Sequence, residues 1–207
     1  MFTVRSSPRM SIPSKRNRCI IICLEQRVFL SRLRGVIFDA GFARIGKYPE
    51  QVVIVTTSNG NRKNNAMAVG WVCIVSSEPW MFALGIDSEA LTYRLIKKNR
   101  DFVVAHPSDK MAKETLFVGT HHGKDAHDKL AQCGLAASSA SVVKAPLLRD
   151  AVANFECRLH EIYQPGDCPV IIGRIVAAHV NKNRQIKRLL TVGSGYQLGG
   201  VETKKSK

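Results

Sequence analysis

Two hydroxyl side chains, Ser88 and Thr92, flank the point near Leu91 where a helix is predicted to begin. Residues 91–99 (LTYRLIKKN) carry apolar side chains at helical spacing, with Leu95 and Ile96 on the same side as Leu91. Backbone N–H groups and hydroxyls at a helix start suit a phosphate monoester. A purely structural role stays open, because Ser88 would cap the helix with the same hydroxyl.

A second group of candidate residues is the histidine-rich segment that contains His121, His122, His127 and Asp128. Imidazole and carboxylate groups bind transition metals, but adjacent histidines on an irregular segment rarely converge on one ion without a further clustered ligand. We therefore predict no metal site and interpret the segment as a polar loop that touches a cofactor or a partner. Cysteine nucleophile chemistry is also unsupported, since nothing local marks a thiol of low pKa.

The sequence lacks several motifs that mark common enzyme classes. There is no GxGxxG after a strand, no Walker loop, no HExxH and no GxSxG. These absences argue against a Rossmann dinucleotide site, a P-loop, a zinc protease and an α/β-hydrolase. No internal repeat is visible.

Composition predicts one soluble domain. The chain has 207 residues, of which 45% are hydrophobic and 23% charged, near the averages for globular proteins. The apolar run at residues 19–24 is too short to span a bilayer, which needs about 20 residues. The six cysteines are scattered without a CxxC pair, which favours buried thiols in a reducing compartment. We therefore predict a cytoplasmic protein without membrane contact. These cysteines are Cys19, Cys23, Cys73, Cys133, Cys157 and Cys168.

The formal net charge of +15 is unevenly distributed along the chain. Residues 1–49 hold ten Lys or Arg and only two acidic residues, Glu25 and Asp39. Basic proteins often bind nucleic acid, but this excess lacks aromatic interleaving and a nucleic-acid-binding module. We predict a basic extension and a solvated basic surface, which also suit an anionic cofactor.

Three regions differ in character. Residues 1–44 are basic and weakly patterned. Three interpretations stay open for them: a transit-like segment, a disordered or helical arm, or a non-native extension from a start codon placed too early. Residues 45–200 form the predicted folded domain, and residues 201–207 a disordered, lysine-rich tail.

The folded region alternates strand and helix patterns. Residues 51–57 and 66–75 are rich in β-branched and apolar side chains around an SNGN turn, which predicts a hairpin. Hairpin spacing with inserted helices indicates an α+β, mainly β barrel rather than a doubly wound sheet. Further strands are predicted at residues 80–86, 101–105, 153–163 and 170–179, and further helices at 110–120 and 125–133.

Taken in order, six segments resemble the flavin reductase-like family, whose fold is an FMN-binding split β-barrel and which includes flavoredoxin. The resemblance covers residues 45–200. It implies a homodimeric FMN protein, with FAD as an alternative flavin and NADH or NADPH as electron donor. The segments are YPEQVVIVTT, NNAMAVGWVCIVSSEPW, LTYRLIKKNRDFVVAHPS, GTHHGKDAHDKLAQCGL, VKAPLLRDAVANFECRLHEIYQPGD and IIGRIVAAHV.

The resemblance also implies a set of site residues. Asn65 matches a flavin-contacting asparagine and Trp71 its aromatic neighbour. Lys129 matches a lysine that reaches the flavin, with Lys124 as a nearby substitute, and Tyr196 is a candidate for covering the ring. The implied cofactor-binding residues are Asn65, Ala66, Met67, Ala68, Val69, Trp71, Ser88, Thr92, His106, Lys129, Cys168 and Tyr196.

Three positions depart from the family pattern. Relatives often have a histidine where this chain has Cys168, an asparagine where it has Ala105, and a basic residue before Thr92 where it has Glu89-Ala90-Leu91. No catalytic residue is therefore assigned. The first hypothesis is an NAD(P)H-dependent flavin oxidoreductase with an unknown acceptor. The alternatives are an electron carrier that barely reacts with pyridine nucleotides, and a non-redox binding protein that docks through its basic arm.

Overall fold

The computed structural model describes residues 31–33, 36–38, 44–60, 64–123 and 128–201. Most of the predicted extension and all but one residue of the predicted tail lie outside these ranges. Within the extension, strands β1 (Ser31–Leu33) and β2 (Val36–Phe38) pair antiparallel, so those six residues are not part of a helical arm. A 3₁₀ helix at Arg44–Lys47 leads into the folded region.

The centre of the fold is an antiparallel seven-stranded sheet in the order β5-β4-β8-β11-β12-β7-β6. Each strand pairs antiparallel with its neighbours. The strands are β4 (Val53–Ser58), β5 (Asn64–Val69), β6 (Val72–Ser77), β7 (Trp80–Gly85), β8 (Asp101–His106), β11 (Ala153–Tyr163) and β12 (Val170–Val180).

The two edge strands of this sheet, β5 and β6, are joined only by Gly70 and Trp71. The ends of the two strands, Val69 and Val72, are three residues apart and so lie at most about 11 Å from each other. The edges therefore come close at this point and the sheet curls into an open barrel. The Gly85 amide donates to the Trp71 carbonyl at 2.9 Å, which fixes the junction. The single returning strand predicted over residues 66–75 is therefore wrong: the run breaks after Val69 and its second half pairs with β7.

Two large hydrophobic clusters pack on the two faces of the barrel wall, beside a small third cluster around Val103. Inside the barrel, Val53, Phe82, Phe102 and Ile171 are almost fully buried, as alternation along the strands requires. Outside it, a second core forms where helices cover β4, β5 and β8. Helix α1 (Leu91–Asn99) has the predicted bounds, and α2 (Ala112–Thr120) follows a 3₁₀ turn at Asp109–Met111 within the predicted helix 110–120. Helix α3 (Lys129–Cys133) is shorter than predicted, and residues 125–127 lie outside the described ranges.

Smaller sheets complete the fold. Strands β13 (Leu189–Gly193) and β14 (Gln197–Gly200), which the sequence analysis did not predict, form a hairpin against β3 (Glu50–Gln51). Strands β9 (Ala137–Ser138) and β10 (Leu147–Leu148) also pair. The predicted strands 153–163 and 170–179 are present, and the predicted mainly β, split-barrel class is confirmed. Within the described residues, no helix is long and apolar enough to cross a bilayer.

Candidate functional site

A pocket of about 300 Å³ lies between strand β5 and the surrounding helices. This volume is at the lower end of the range for small-molecule sites. Its walls come from β5, the start of α1, the end of α2, the start of α3 and the β13–β14 turn. Asn65, Met67, Thr92, Lys129 and Tyr196, all predicted as site residues, line this pocket.

Strand β5 presents one free backbone edge toward this region. It pairs only with β4 in the main sheet, and alternate residues of an antiparallel edge strand direct both N–H and C=O away from the partner. The Ala66 carbonyl accepts from Lys129 Nζ at 2.9 Å, which identifies Ala66, and by alternation Ala68, as the outward-facing residues. Val69 faces β4 instead and its side chain lies in the inner core.

Asn65 ties three elements together at the floor of the pocket. Its Nδ2 donates to Thr92 Oγ1 on α1 at 2.8 Å and to Thr57 Oγ1 on β4 at 3.3 Å. All three side chains are buried. Because the amide nitrogen is engaged by both hydroxyls, its orientation is set within the protein itself.

The start of α1 forms a second wall and has no side-chain cap. Its N-cap is Ala90, and no acidic residue lies in its first turn. The structural alternative in which Ser88 caps this helix is therefore wrong. Glu89 is exposed, and its carbonyl accepts from Arg94 Nη2 at 2.7 Å, so an arginine lies beside the turn that departs from the family pattern.

Lys129 is the one charged side chain among the described residues that line the pocket. It is 4% exposed, and its Nζ donates to the carbonyls of Ala66 at 2.9 Å and Val118 at 3.0 Å. Asp128, considered above as a metal ligand, caps α3 by accepting from the amides of Leu130 and Ala131 at 3.1 Å each. The pocket therefore carries positive charge at its inner wall.

The loop after α2 forms the rim. His121 stacks on Phe117 with ring centroids 3.9 Å apart, and its Nδ1 lies 3.1 Å from the Phe117 carbonyl. Both His121 and His122 line the pocket. A Cβ on Gly123 would lie 2.7 Å from Asn65 Oδ1 and 2.6 Å from Leu91 Cδ2, so only glycine fits there without movement.

No cluster of three or more His, Cys, Asp or Glu suited to a metal ion occurs within the described residues. His127 and Lys124 lie outside those residues. Next to the site, burial raises the pKa of the Cys133 thiol, and its Sγ donates to the Lys129 carbonyl at 3.0 Å.

Seven of the twelve predicted cofactor-binding residues do not line the pocket. Three of them, Ala66, Ala68 and Val69, lie on β5 as described above, and the other four lie elsewhere. Trp71 is half-exposed at the β5–β6 junction, where its side chain packs on Gly85. Ser88 precedes α1, and Cys168 lies in the β11–β12 connection.

His106, the fourth, ends β8 and points into one end of the barrel beside Phe82 and Phe155. Its Nε2 is buried and has no hydrogen-bond partner among the described residues. Burial, assisted by the nearby Arg188 charge, lowers the pKa of His106 to about 4. The ring is therefore neutral at physiological pH.

Sequence reasoning missed part of the pocket wall: Ala90, Val118, Gly119 and Thr120 also line it. Ala90 and Val118 carry no chemical signal, because they contribute shape and backbone groups. A signal existed for Thr120, which directly precedes the histidine pair.

Comparisons with known proteins find matches over most of the folded region. A family model described as the flavin reductase like domain matches residues 45–200. An uncharacterized protein of Pyrococcus abyssi is 32% identical over 130 residues, covering 63% of this chain and 73% of that protein. The NADH-dependent FMN reductase AsuE2 of Streptomyces nodosus subsp. asukaensis is 30% identical over 138 residues, or 65% and 71% of the two chains.

Among solved structures, the flavoredoxin of Desulfovibrio vulgaris (Miyazaki F) superimposes with a TM-score of 0.70. The alignment covers 86% of this chain and 96% of flavoredoxin at 21% sequence identity. At that identity the likeness establishes the shared fold.

Proposed function

The chain belongs to the flavin reductase-like domain family, and on that premise we propose that it binds FMN and transfers electrons from NADH or NADPH to an acceptor. The observation that carries the proposal is that one pocket is lined by β5, the Lys129 ammonium and the uncapped start of α1, and that Lys129 links this pocket to the outward edge of β5 at Ala66. The name of the Streptomyces nodosus relative, an NADH-dependent FMN reductase, supports it.

The residues present fit a flavin mononucleotide. The polar edge of its ring needs several donors and acceptors on one side, which the outward N–H and C=O groups of Ala66 and Ala68 supply. The phosphate suits the start of α1 and the Thr92 hydroxyl.

The bound flavin would accept a hydride and release electrons. The protein supplies orientation and charge: Lys129 places a cation at the β5 edge, where it favours an anionic reduced ring. The pocket lining described here contains no carboxylate that would repel either the phosphate or the reduced ring.

The test is the visible spectrum of the purified protein mixed with FMN, recorded before and after anaerobic addition of NADH or NADPH. Bound flavin bands that bleach within seconds support the oxidoreductase. A parallel titration with FAD distinguishes the two flavins, because the additional AMP half must fit beyond a pocket of about 300 Å³. Absence of flavin binding would refute the proposal.

One observation favours the second candidate, a carrier that exchanges electrons with protein partners. Cys168 replaces the histidine of the family pattern and does not line the pocket. A thiol cannot serve as an imidazole donor at neutral pH without a perturbed pKa. Bound flavin that stays oxidised for minutes with either pyridine nucleotide, yet is reduced by dithionite, supports the carrier. Recovery of nucleotide-dependent bleaching in Cys168→His would link the loss to this position.

We also propose that two copies of the chain pair through the β6 edge. Trp71, Ile74, Val75 and Trp80 are 43%, 47%, 49% and 56% exposed. Ile74 and Val75 lie on the edge strand β6, Trp71 precedes that strand and Trp80 begins its partner β7. Such exposed apolar surfaces in soluble proteins mark interaction sites. Ile74→Glu should convert a dimer to a monomer in sedimentation analysis, with Val192→Glu, an exposed residue on β13, as the control. The basic-arm alternative concerns residues 1–44, most of which lie outside the described ranges.

A further inference from the structure

The amide of Asn65 is committed to the protein rather than to the pocket. Its Nδ2 donates to Thr92 Oγ1 at 2.8 Å and to Thr57 Oγ1 at 3.3 Å, and the side chain is 4% exposed. On the opposite side, Gly123 approaches Oδ1 so closely that no Cβ would fit. The amide is therefore held by hydrogen bonds at Nδ2, and Gly123 limits the space beside Oδ1.

This arrangement determines the polarity of the Thr92 hydroxyl. Thr92 is 2% exposed and lines the pocket at the first turn of α1. A hydroxyl has one proton and two lone pairs. Because Asn65 donates to one lone pair, the proton of Thr92 is available to donate to a ligand in the pocket.

That polarity matters for an anionic ligand. A phosphate oxygen only accepts hydrogen bonds. A hydroxyl that turned a lone pair toward the phosphate would repel it, whereas a hydroxyl that turns its proton toward the phosphate donates a hydrogen bond to it. A donor that fixes the hydroxyl beforehand removes the orientational cost of binding.

We infer that Asn65 is a positioning residue that directs the Thr92 proton toward the terminal phosphate of the flavin, and does not itself donate to the flavin through Nδ2. The inference rests on the proposed function. It reassigns Asn65 from a direct flavin contact to a residue that acts through Thr92.

The experiment compares the dissociation constants of FMN and riboflavin, which differ only by the phosphate. These are measured by flavin fluorescence for the full chain and for Asn65→Leu, Thr92→Val and the double variant. Thr92→Val should reduce the preference for FMN by about 10- to 100-fold, the range for a hydrogen bond to a charged group. Asn65→Leu should reduce it about 3- to 10-fold, the range for a neutral hydrogen bond. In the Thr92→Val background, Asn65→Leu should reduce it no further.

Two further variants keep the result independent of folding. Thr92→Ser retains the hydroxyl and should retain most of the FMN preference. Thr115→Val removes another buried helical hydroxyl, one that donates to the Met111 carbonyl at 2.7 Å, and should leave the preference unchanged. Because each value is a ratio measured on the same sample, partial unfolding cancels.

Each remaining outcome is decisive. An equal loss from Asn65→Leu with and without the Thr92 hydroxyl would mean that Asn65 contacts the phosphate directly, which overturns the inference alone. Equal affinity of the unsubstituted protein for FMN and riboflavin would overturn it as well. If the unsubstituted protein binds neither flavin, the proposed function falls and the inference falls with it.

Discussion

The Lys129 ammonium donates to the Ala66 carbonyl at 2.9 Å, across 63 residues of sequence. This contact joins the start of α3 to the outward edge of β5 and places a buried cation beside backbone groups that no strand of the main sheet covers. The buried cation and the outward edge of β5, two features that suit a flavin, are therefore in direct contact.

Lys129→Met keeps the length of the side chain and removes its charge. We expect the dissociation constant for FMN to rise about 10- to 100-fold, since hydrogen bonds from charged groups contribute about 1.5–3 kcal/mol. The reduction potential of bound flavin should fall, because the anionic reduced ring loses its cation. Fluorescence titration and spectroelectrochemistry measure the two effects. Lys113→Met, at an exposed position on α2, is the control, and an unchanged potential would contradict the assigned role of Lys129.

Gly173→Ala tests the inner core. A Cβ at position 173 would overlap the ring of Phe102, which is fully buried. Overpacking of this kind costs about 1–3 kcal/mol, so the urea midpoint should fall with an unchanged slope. Gly166→Ala, in a turn where nothing lies within 4 Å of the new Cβ, should leave the midpoint in place. Equal midpoints for both variants would show that the ring moves aside freely.

His106 should make the protein sensitive to mild acid. The folded protein keeps the ring neutral down to a pKa of about 4, whereas the unfolded chain protonates it near 6.5. Its effect on stability is therefore constant above pH 6.5 and declines between pH 6.5 and about 4, by about 3 kcal/mol. In His106→Leu this part of the pH dependence of the free energy of unfolding should disappear. His160→Leu, at an exposed position on β11, should retain it, and parallel curves for His106→Leu and the unsubstituted protein would refute the assignment.

Glu156 should act at lower pH. This fully buried carboxylate would be raised in pKa by burial alone, but the amides of Ser141, Val142 and Val143 and the ring of His179 lower the pKa below its ordinary 4.5. Its stabilisation is present above pH 4.5 and is lost as the pH falls through the folded value.

Glu156→Gln should destabilise the fold by about 2–4 kcal/mol at pH 7. The NH2 group of the glutamine would face backbone N–H donors and cannot accept their hydrogen bonds. The variant should also lack the decrease in the free energy of unfolding that protonation of Glu156 causes below pH 4.5. Thermal unfolding monitored by circular dichroism from pH 3 to 7 measures both effects. Glu161→Gln, exposed on the same strand, is the matched control. A variant as stable as this control would mean that the loop at residues 141–143 does not depend on the carboxylate.

Local patterns predicted the type of most elements. Alternation over residues 153–163 gave a strand with those bounds, and the spacing of Leu91, Leu95 and Ile96 gave α1 with its bounds. The same patterns could not locate the break at Gly70 and Trp71, because apolar and β-branched residues continue on both sides of it. The β13–β14 hairpin was missed for a related reason: its short strands are stabilised by β3 and by the segment 107–109, both distant in sequence.

By itself, the sequence determined the element types, the mainly β class and the family, since side-chain periodicity and ordered motifs are local properties of the chain. The tertiary structure decided which candidate residues share a pocket. It brings Asn65, Thr92, Lys129 and Tyr196 together and leaves Trp71, His106 and Cys168 outside. The direction of the Asn65 amide and the free edge of β5 also follow from the tertiary structure. The physical reason is that strand pairing, edge exposure and hydrogen-bond polarity depend on contacts between residues distant in sequence, such as the one between Lys129 and Ala66.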